Sequence, residues 1–430
     1  MRRIAVVGSG ISGLSVAHSL SSSSQLTLFE AGTHFGGHSH TVDVRLEGVR
    51  HGVDTGFLVF NHRTYPRLVE LFKALEVPTA ASEMSFSVQV PQHGLEWSGC
   101  DLNTVFAQRS NLLRPRFLGM LAQILRFNRL ATSLAVNGDD AALREAIGDF
   151  LARHGFGDAF RDWYLLPMLG CIWSCPTDQM LRFPVATMIR FCHNHGLIQV
   201  SDRPQWHTVA GGSRVYVQKM LSSLEDARLR CPVRAVRRTG AGVLVSTDHG
   251  TERFDDVVLA CHSDQALALL ADASDDERGV LGAIRYQPNR AVLHTDTALL
   301  PRRRLAWAAW NYERAADAAV EQSAVCLHYL INRLQPLPWQ TPVVVSLNPA
   351  RQPDAEKVIG EYAYSHPVFD GAAIAAQAQL GRIQGRVGTW FCGAWTRYGF
   401  HEDGLMSGLA VSAALRERLG ASGALQQAAA

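Results

Sequence analysis

The chain has 430 residues, of which 47% are hydrophobic and 19% charged, and its formal net charge is +2. This composition indicates a globular protein with a large core, and the balanced charge gives no support for binding nucleic acid. No apolar run reaches the ~18 residues that a membrane-spanning helix needs. Three glycines interrupt the apolar run that follows Met1–Arg3, so we expect no signal peptide and a cytoplasmic protein.

The N-terminal region predicts a strand, a glycine turn and a helix. The run Ile4–Val7 is apolar without alternation, as in a strand buried on both faces, and helical spacing of apolar residues begins at Leu14. The Gly-x-Gly-x-x-Gly motif between them allows a tight turn, close approach of a diphosphate and close helix packing. The diphosphate would bind the helix N-terminus, where N–H groups and the dipole favour negative charge. The residues predicted to form this site are Gly8, Gly10, Ile11, Ser12 and Gly13.

An acidic residue completes this dinucleotide-binding unit. Gln25–Phe29 predicts the second strand, and Glu30 follows it, where a carboxylate would hold both hydroxyls of an adenosine ribose. Ala31 then opens a second glycine-rich loop that leads into another strand. The full order of strand, turn, helix, strand and acid predicts dinucleotide binding more specifically than the glycines alone.

The remaining elements are spread along the chain. Helices are expected at 65–77, 112–135, 214–224 and 405–419. Strands are expected at 230–236, 255–261 and 389–393. The apolar, aromatic segment 163–173 is expected to be broken by Pro167. Elements typical of nucleotide binding therefore lie at the beginning, middle and end of the chain, and we expect two interleaved domains.

This order resembles the FAD-dependent amine oxidase and phytoene desaturase superfamily over nearly the whole chain. The residues that carry the likeness are Gly36-Gly37, Gly211-Gly212, Val233, Phe391-Cys392-Gly393 and Gly404-Leu405-Met406. A narrower likeness is to the flavoprotein domain fused ahead of plant cyclopropane fatty acyl synthases and to its bacterial relatives, which include the flavin desaturase of furan fatty acid formation. It is carried by Gly36-Gly37-His38, Trp173-Ser174, Pro204-Gln205-Trp206, Phe391-Cys392-Gly393-Ala394 and Phe400-His401-Glu402-Asp403.

The resemblance implies an α/β fold in which a Rossmann-like FAD-binding domain is interleaved with an α+β substrate domain, the two-domain fold of amine oxidases. The FAD-binding domain would comprise 1–80, 201–285 and 386–420. The substrate domain would comprise 81–200, which is mostly helical, and 286–385. Residues 421–430 would form a frayed tail.

The resemblance also implies which residues contact FAD. Amine oxidases usually have an arginine after the double glycine, whose charge meets the pyrophosphate, and this chain has His38 there. The helix that begins at Gly404 would direct N–H donors at the pyrimidine end of the reduced flavin. The implied cofactor contacts beyond the first unit are Ala31, Gly36, Gly37, His38, Thr55, Gly56, Phe57, Val233, Gly393, Gly404, Leu405 and Met406.

Two features weigh against a primary amine as the substrate. Phe400 stands where such families often place a tyrosine of the amine-binding aromatic cage. The segment 286–292, which would approach the flavin N5, contains an arginine but no lysine, and arginine cannot stand in because it does not deprotonate. The many large apolar residues of 163–191 instead suit a long pocket for an acyl chain, although core packing explains any one of them.

Desaturation needs a base near the flavin, and histidine titrates in the required range. The candidates are His401, Glu402, His195 and Tyr164, each with a purely structural role as the alternative. We expect no metal site, because His38 and His40 have no third ligand nearby in sequence and the cysteines lack zinc spacing.

The expected function is FAD-dependent desaturation of a lipid acyl chain, such as a methyl-branched unsaturated one. The alternatives are oxidation of an amine or another small molecule, and a non-catalytic flavoprotein partner of a lipid methyltransferase, which the plant fusion motivates. The stretch 112–130 combines four arginines with a broad apolar face. Such a helix either lies in the headgroup region of an anionic membrane, which would make the protein peripheral at the inner face, or buries its apolar side in its own domain.

Overall fold

The structure is a computed structural model that describes residues 1–138, 143–174, 176–199, 203–317 and 324–428, with side chains up to 418. The strands are β1 Arg3–Val7, β2 Gln25–Phe29, β3 Thr41–Leu46, β4 Val49–Asp54, β5 Phe60–Asn61, β6 Thr79–Ser82, β7 Phe86–Val90, β8 Leu95–Ser98, β9 Trp206–Val209, β10 Asp226–Arg228, β11 Val233–Thr239, β12 Gly242–Thr247, β13 Gly250–Phe254, β14 Asp256–Leu259, β15 Tyr286–His294, β16 Trp310–Glu313, β17 Cys326–Leu330, β18 Val344–Leu347, β19 Val358–Pro367 and β20 Thr389–Phe391.

The α-helices of the described residues lie between or after groups of these strands, and α3 to α9 follow one another without an intervening strand. They are α1 Ile11–Leu20, α2 Pro66–Ala74, α3 Leu102–Val105, α4 Pro115–Asn137, α5 Ile147–Arg153, α6 Asp158–Phe160, α7 Leu166–Trp173, α8 Thr177–Met180, α9 Val185–Asn194, α10 Arg214–Leu221, α11 Ser263–Leu269, α12 Asp275–Gly282, α13 Ile331–Leu334, α14 Gly371–Gln377 and α15 His401–Ala428. The predicted α/β fold is confirmed. The predicted domain boundaries stay predictions.

A five-stranded parallel sheet is assembled from the beginning, the middle and the end of the chain, in the order β10-β2-β1-β14-β20. Val6 of β1 pairs with Leu28 on one side and with Val258 on the other, and all three are fully buried. The uninterrupted apolar sequence of β1 follows from this burial on both faces.

A seven-stranded sheet, in the order β19-β15-β18-β17-β16-β7-β8, forms the second layer of the molecule. Its neighbouring strands are antiparallel except for β16 and β7. Helix α7 packs against β16. The predicted break at Pro167 is wrong, because a π-helical turn at Arg161–Leu165 links α6 to α7 and Pro167 occupies the first turn of α7, where no N–H donor is needed.

The last helix, α15, lies directly on the first helix, α1. A Cβ atom added at Gly404 would lie 2.8 Å from Cγ2 of Ile11, and one added at Gly408 would lie 2.0 Å from Oγ of Ser15. These glycines therefore allow the two helix backbones to approach closely. The helical backbone continues to Ala428, past the predicted end at 419 and through most of the stretch expected to fray, and residues 429–430 lie outside the described part.

Helix α4 buries one face within its own domain. The side chains on that face are Phe117, Met120, Phe127 and Ala131. These side chains therefore pack internally, and contact of the helix with a membrane stays a prediction. Within the described residues, no helix is both long enough and apolar enough to span a bilayer.

Candidate flavin site

The three loops predicted to contact FAD converge at the carboxyl end of the parallel strands. A Cβ at Gly37 would lie only 3.1 Å from Cα of Gly10, so the first and second glycine loops touch. The backbone N–H of Phe57 donates to the carbonyl of His38 at 2.7 Å, which joins the third loop to the second. The backbone N–H of Gly36 donates to Oγ of Ser9 at 3.1 Å. The structure thus brings together residues that the sequence placed in separate motifs.

The first glycine loop fits a diphosphate. A Cβ at Gly8 would lie 2.7 Å from the carbonyl oxygen of Ala260, and one at Gly13 would lie 1.9 Å from that of Gly8, so both positions are closed by backbone. At Gly10 nothing lies within 4 Å of an added Cβ, and no side chain caps α1. The N-terminal N–H groups of α1, which include those of Ile11 and Ser12, therefore face open space of the kind that the negative charge of a diphosphate would fill.

Glu30 is held rigidly at the end of β2. Its carboxylate accepts hydrogen bonds from the backbone N–H of Ser9 at 3.0 Å and of Gly32 at 2.7 Å, and also from the Ser9 hydroxyl. A carboxylate has about four acceptor positions, so capacity remains for about one further donor such as a ribose hydroxyl. Ala31 beside it is exposed, and Val233 begins β11 two residues after Cys231, whose N–H donates to the carbonyl of Glu30. The predicted adenosine contacts are therefore neighbours.

His38 presents an unsatisfied polar atom to the same region. Its Nε2 is buried and has no hydrogen-bond partner in the described part of the chain. The ring lies 5.0 Å from that of Tyr364 and 5.3 Å from that of His366. Burial lowers the pKa of His38 well below its usual range, so the imidazole is neutral. A buried unpaired nitrogen is costly, and a cofactor phosphate or hydroxyl at this place would satisfy it.

Tyrosine and histidine side chains of β19 form one wall of the cleft. The Tyr364 hydroxyl lies 2.7 Å from Oγ1 of Thr55 and 3.1 Å from Nδ1 of His40, and Nδ1 of His366 lies 2.9 Å from Nδ2 of Asn289. These wall residues keep accessible surface, although burial lowers the pKa of His366 to about 4. Sequence reasoning missed Tyr364 and His366. Their period-2 spacing along a strand was the available signal.

His401 is the first residue of α15 and contacts the third loop. Its ring stacks on Phe57 with centroids 3.9 Å apart, and its Nε2 lies 2.7 Å from the hydroxyl of Tyr216. Tyr216 also hydrogen-bonds Ser39, which completes a chain of three side chains. Burial lowers the pKa of His401 to about 3, so the ring is neutral. Neither Ser39 nor Tyr216 was predicted, because their partners are far away in sequence.

The predicted start of the last helix is wrong by three or four residues. Asp403 accepts a hydrogen bond from the backbone N–H of Phe400 at 3.0 Å, which caps a helix that begins at His401. The N–H of Gly404 already donates to the carbonyl of Phe400 at 3.0 Å. Free N–H donors therefore belong to the turn at 401–403 rather than to Gly404, Leu405 and Met406, whose contact with FAD stays a prediction. Gly393 lies beside this helix, with its N–H 3.1 Å from Oγ of Ser407.

Glu402 is engaged by backbone N–H groups, and its predicted catalytic role stays a prediction that the geometry does not favour. Its two carboxylate oxygens accept hydrogen bonds from the backbone N–H groups of Arg67 at 2.8 Å and of Leu68 at 3.0 Å. These N–H groups belong to the first turn of α2, so Glu402 caps that helix from a position far along the chain. Burial raises the pKa of Glu402, and the two backbone hydrogen bonds oppose this effect.

Tyr164 is also placed in a structural setting. Its ring packs 5.6 Å from that of Phe160 and 6.3 Å from that of Trp97, within the core of the helical region. Burial raises the pKa of Tyr164, so the phenol does not become a base near neutral pH. The geometry therefore gives no support for the predicted catalytic role of this residue.

His195 has the geometry of a base. Its Nδ1 lies 3.0 Å from the carbonyl oxygen of Phe191, and a carbonyl only accepts, so Nδ1 carries the proton. Burial lowers the pKa of His195 to about 4, so the ring is neutral and Nε2 keeps its lone pair. The ring stacks on Phe191 at 3.9 Å and lies 5.7 Å from Phe400, which precedes α15.

The apolar segment 163–191 is mostly core. Trp163, Leu165, Leu169 and Phe183 are buried and belong to the main hydrophobic core, so the long acyl pocket predicted from their density stays a prediction. A cavity of about 450 Å³ lies nearby, but charged side chains line it, among them Arg161, Asp162 and Arg314. Composition alone did not distinguish a core from a pocket.

One group with metal-ligand chemistry lies in the seven-stranded sheet, away from the glycine loops. Glu313, Cys326 and His328 are buried together. Nε2 of His328 lies 3.0 Å from the Glu313 carboxylate, and Nδ1 lies 2.7 Å from Oγ of Ser346. These hydrogen bonds account for the burial of the imidazole without an ion.

We expect acid to lower the free energy of unfolding, because five histidines near the glycine loops and the start of α15 are neutral in the folded protein. Burial lowers the pKa of each: His40, His195 and His366 to about 4, His401 to about 3, and His38 in the same direction. The unfolded chain binds these protons near pH 6.5, whereas the folded chain excludes them. The free energy of unfolding is therefore complete above pH ~6.5 and falls as the pH is lowered toward 4, by at most ~1.4 kcal/mol per group and pH unit.

Buried carboxyl groups act in the opposite sense, and burial raises the pKa of Glu402 and of Asp256 as well as those of two groups with larger shifts. Burial raises the pKa of Asp54 and of Asp403 to about 6, so their contribution to stability is lost as the pH rises from about 4 to 6. The histidines outnumber them, and we expect a net loss of stability on acidification of FAD-free protein, measured by urea unfolding at pH 7, 6 and 5. His366→Gln should flatten this dependence, and the exposed His249→Gln should leave it unchanged. Equal stability at all three pH values would contradict the prediction.

The fold and the cleft together define an FAD-dependent oxidoreductase. The chain matches the family of flavin-containing amine oxidoreductases over residues 11–300, which is more than half of its length. It belongs to this family, as the resemblance in sequence implied, and its cofactor is FAD.

Solved structures share the fold at low sequence identity. A CLA-producing fatty acid isomerase from P. acnes is 16% identical, with a TM-score of 0.66 over 95% of this chain and 97% of that chain. Cyclohexylamine oxidase from Brevibacterium oxydans IH-35A is 15% identical, with a TM-score of 0.68 over 97% of this chain and 99% of that chain. A comparison with curated proteins gives no match.

Proposed function

We propose that the protein desaturates the acyl chain of a lipid, with a methylated unsaturated chain as the substrate class. FAD, when bound, accepts a hydride from a C–H bond next to a double bond. The observation that carries the proposal is the state of the polar side chains around the start of α15. His195 and His401 are neutral, and the carboxylates of Glu402 and Asp403 accept hydrogen bonds from backbone N–H groups. Such a surface suits an uncharged hydrocarbon better than an ammonium group.

The aromatic side chain expected to help form an amine cage is already engaged. Phe400 stacks on Phe191 with centroids 4.6 Å apart and an interplanar angle of 17°. One face of the Phe400 ring is therefore covered, and phenylalanine also lacks the hydroxyl of the tyrosine usual at this position. A cation would find a weaker site here than in an open aromatic cage.

The three lysines of the chain lie outside the segment expected to approach the flavin N5. Lys73, Lys219 and Lys357 are the only three in the sequence. Lys73 is exposed on α2, Lys219 donates to the carbonyl of Leu75 just beyond that helix, and Lys357 pairs with Asp296 at 3.2 Å. The lysine expected near the flavin N5 of an amine oxidase therefore has no counterpart here.

His195 supplies the proton acceptor that desaturation requires. Forming a C=C bond between adjacent carbons removes one hydrogen from each: Nε2 of His195 would accept the one that leaves as a proton, and FAD would supply the acceptor for the one that leaves as a hydride. Molecular oxygen or another acceptor then takes the two electrons. A depressed pKa keeps this histidine deprotonated at neutral pH, although it also makes it a weak base. A fatty acid isomerase among the solved structures with this fold is in keeping with an acyl substrate.

Anaerobic mixing tests the proposal. Phospholipids with methylated unsaturated acyl chains should bleach the visible absorbance of the FAD-loaded protein, and matched saturated lipids should not. The lipid recovered should contain one additional double bond. Bleaching by a panel of amines, with peroxide release in air, would assign the protein to amine oxidation instead. No bleaching with either class would favour a non-catalytic flavoprotein.

A further inference from the structure

A surface formed by two distant segments of the chain combines exposed leucines with arginines. We call it the leucine–arginine face. Its apolar members are Leu102, Leu112, Leu113, Leu118, Leu125 and Leu305, and its basic members are Arg109, Arg114, Arg116, Arg126, Arg129, Arg302 and Arg304. Leu113 is 87% exposed and Leu102 is 79% exposed, which is unusual for so large an apolar side chain.

Contacts join these segments into one surface. The guanidinium of Arg109 donates to the side-chain carbonyl of Asn103 at 2.6 Å, which links the short turn before α4 to α3. The 3-10 turn Arg304–Ala306 packs against α3. Helix α4 continues directly from the turn at Arg109–Leu113. The exposed leucines of α4 lie outside its buried face, so they are not part of the internal packing described above.

Positive charge predominates on this face. Residues 102–138 contain five arginines and no Asp, Glu or Lys, although the net charge of the whole chain is only +2. Arg114 donates to the carbonyls of His93 and Gly94, Arg126 to that of His154, and Arg129 to that of Leu125. Their hydrogen bonds within the described residues thus leave the positive charges without a carboxylate partner.

Arginines elsewhere in the protein contrast with this pattern. Arg228, Arg238 and Arg290, for example, each form ion pairs with acidic side chains. On the leucine–arginine face, Arg116 lies over the ring of Trp163 and Arg304 over that of Trp307. Arg303, which lies between Arg302 and Arg304, pairs with Glu96 at 3.0 Å, whereas the arginines assigned to the face form no ion pair with a carboxylate of the described residues. An anionic surface would therefore complement the positive charge that remains on this face.

We propose that the leucine–arginine face docks on an anionic lipid bilayer. The leucines enter the boundary between headgroups and acyl chains, and the guanidinium groups bind lipid phosphates beside them. A surface in which leucines lie among arginines without carboxylate partners complements a bilayer whose phosphates lie next to its acyl chains. The inference rests on the surface alone and holds whatever the substrate of the cleft is.

Flotation of the FAD-loaded protein with vesicles tests the proposal. Vesicles of phosphatidylglycerol and phosphatidylcholine should bind at least about tenfold more protein than phosphatidylcholine alone. Raising the salt concentration to about 0.5 M should reduce binding strongly, because the phosphate contacts are screened. Equal binding to both vesicle types, or none to either, would overturn the proposal.

Matched variants distinguish the contribution of the exposed leucines to vesicle binding from that of the arginines. The double variant Leu112→Ser/Leu113→Ser and the double variant Arg116→Glu/Arg129→Glu should each weaken vesicle binding about tenfold or more. Val387→Ser and Arg45→Glu change exposed residues outside the face and should bind as the unchanged protein does. FAD content and circular dichroism confirm that each variant is folded. A concentration-dependent self-association lost in the leucine variant, with no vesicle binding, would make the face a protein interface and refute membrane docking.

Discussion

Gly10→Val is expected to give a folded but colourless protein. A Cβ at Gly10 meets no atom within 4 Å, and its N-terminal position at α1 has ordinary extended backbone angles, so the chain itself tolerates a side chain there. The valine would instead fill the space into which the N–H groups of α1 point. Because a diphosphate needs that space, we expect the affinity for FAD to fall at least about 100-fold, or ~2.7 kcal/mol. Flavin absorbance after purification and titration of the apoprotein with FAD measure the change.

Gly13→Val is the matched control for this prediction. A Cβ at Gly13 would lie 1.9 Å from the carbonyl oxygen of Gly8 and would therefore disturb the turn itself. This variant should lose both thermal stability and flavin, whereas Gly10→Val should keep the melting temperature of the apoprotein. A yellow Gly10→Val protein with unchanged affinity would refute the placement of the diphosphate.

The first binding unit was predictable because its signals are local. The predicted strand Gln25–Phe29 agrees with β2 at both ends, and β1 differs from its prediction only by including Arg3. Burial on both faces imposes an uninterrupted apolar run, and the turn geometry imposes glycine at fixed positions. Residues so constrained within a short stretch can be recognised without knowing the rest of the fold.

The function of polar residues near the cleft was not predictable in the same way. Glu402 was a reasonable candidate base, yet it caps α2, whose first turn is more than 300 residues earlier in the chain. Tyr216 acquires its place only through its contacts with His401 and Ser39. Helix caps supplied from a distant part of the chain, and hydrogen-bonded series of side chains, depend on tertiary contacts that sequence spacing does not encode.

Apolar composition was ambiguous for another reason. Burial in a core and exposure to a hydrocarbon pocket select the same side chains, so the density of residues such as Trp163 and Leu169 did not separate the two. The same ambiguity affected α4, where the apolar face predicted for a membrane packs internally and a different set of leucines remains exposed.

His195→Gln should slow flavin reduction by the acyl substrate by about 100-fold or more, the usual effect of removing a general base. Glutamine keeps a donor for the carbonyl of Phe191 but cannot accept a proton near neutral pH. FAD should remain bound, because His195 lies on α9 and its adjoining turn rather than in the glycine loops. In the unchanged protein the rate should fall as the pH is lowered through about 4, where Nε2 becomes protonated. Stopped-flow absorbance under anaerobic conditions measures both effects.

Glu402→Gln distinguishes a chemical role from a structural one. Its carboxylate caps α2, so losing one of the two charge-assisted hydrogen bonds should lower the free energy of unfolding by about 1–2 kcal/mol. The rate of flavin reduction should change by less than about twofold, because the two carboxylate oxygens are held by the first turn of α2 and the proton is assigned to His195. The opposite result, a slow Glu402→Gln and a normal His195→Gln, would transfer the role of base to Glu402.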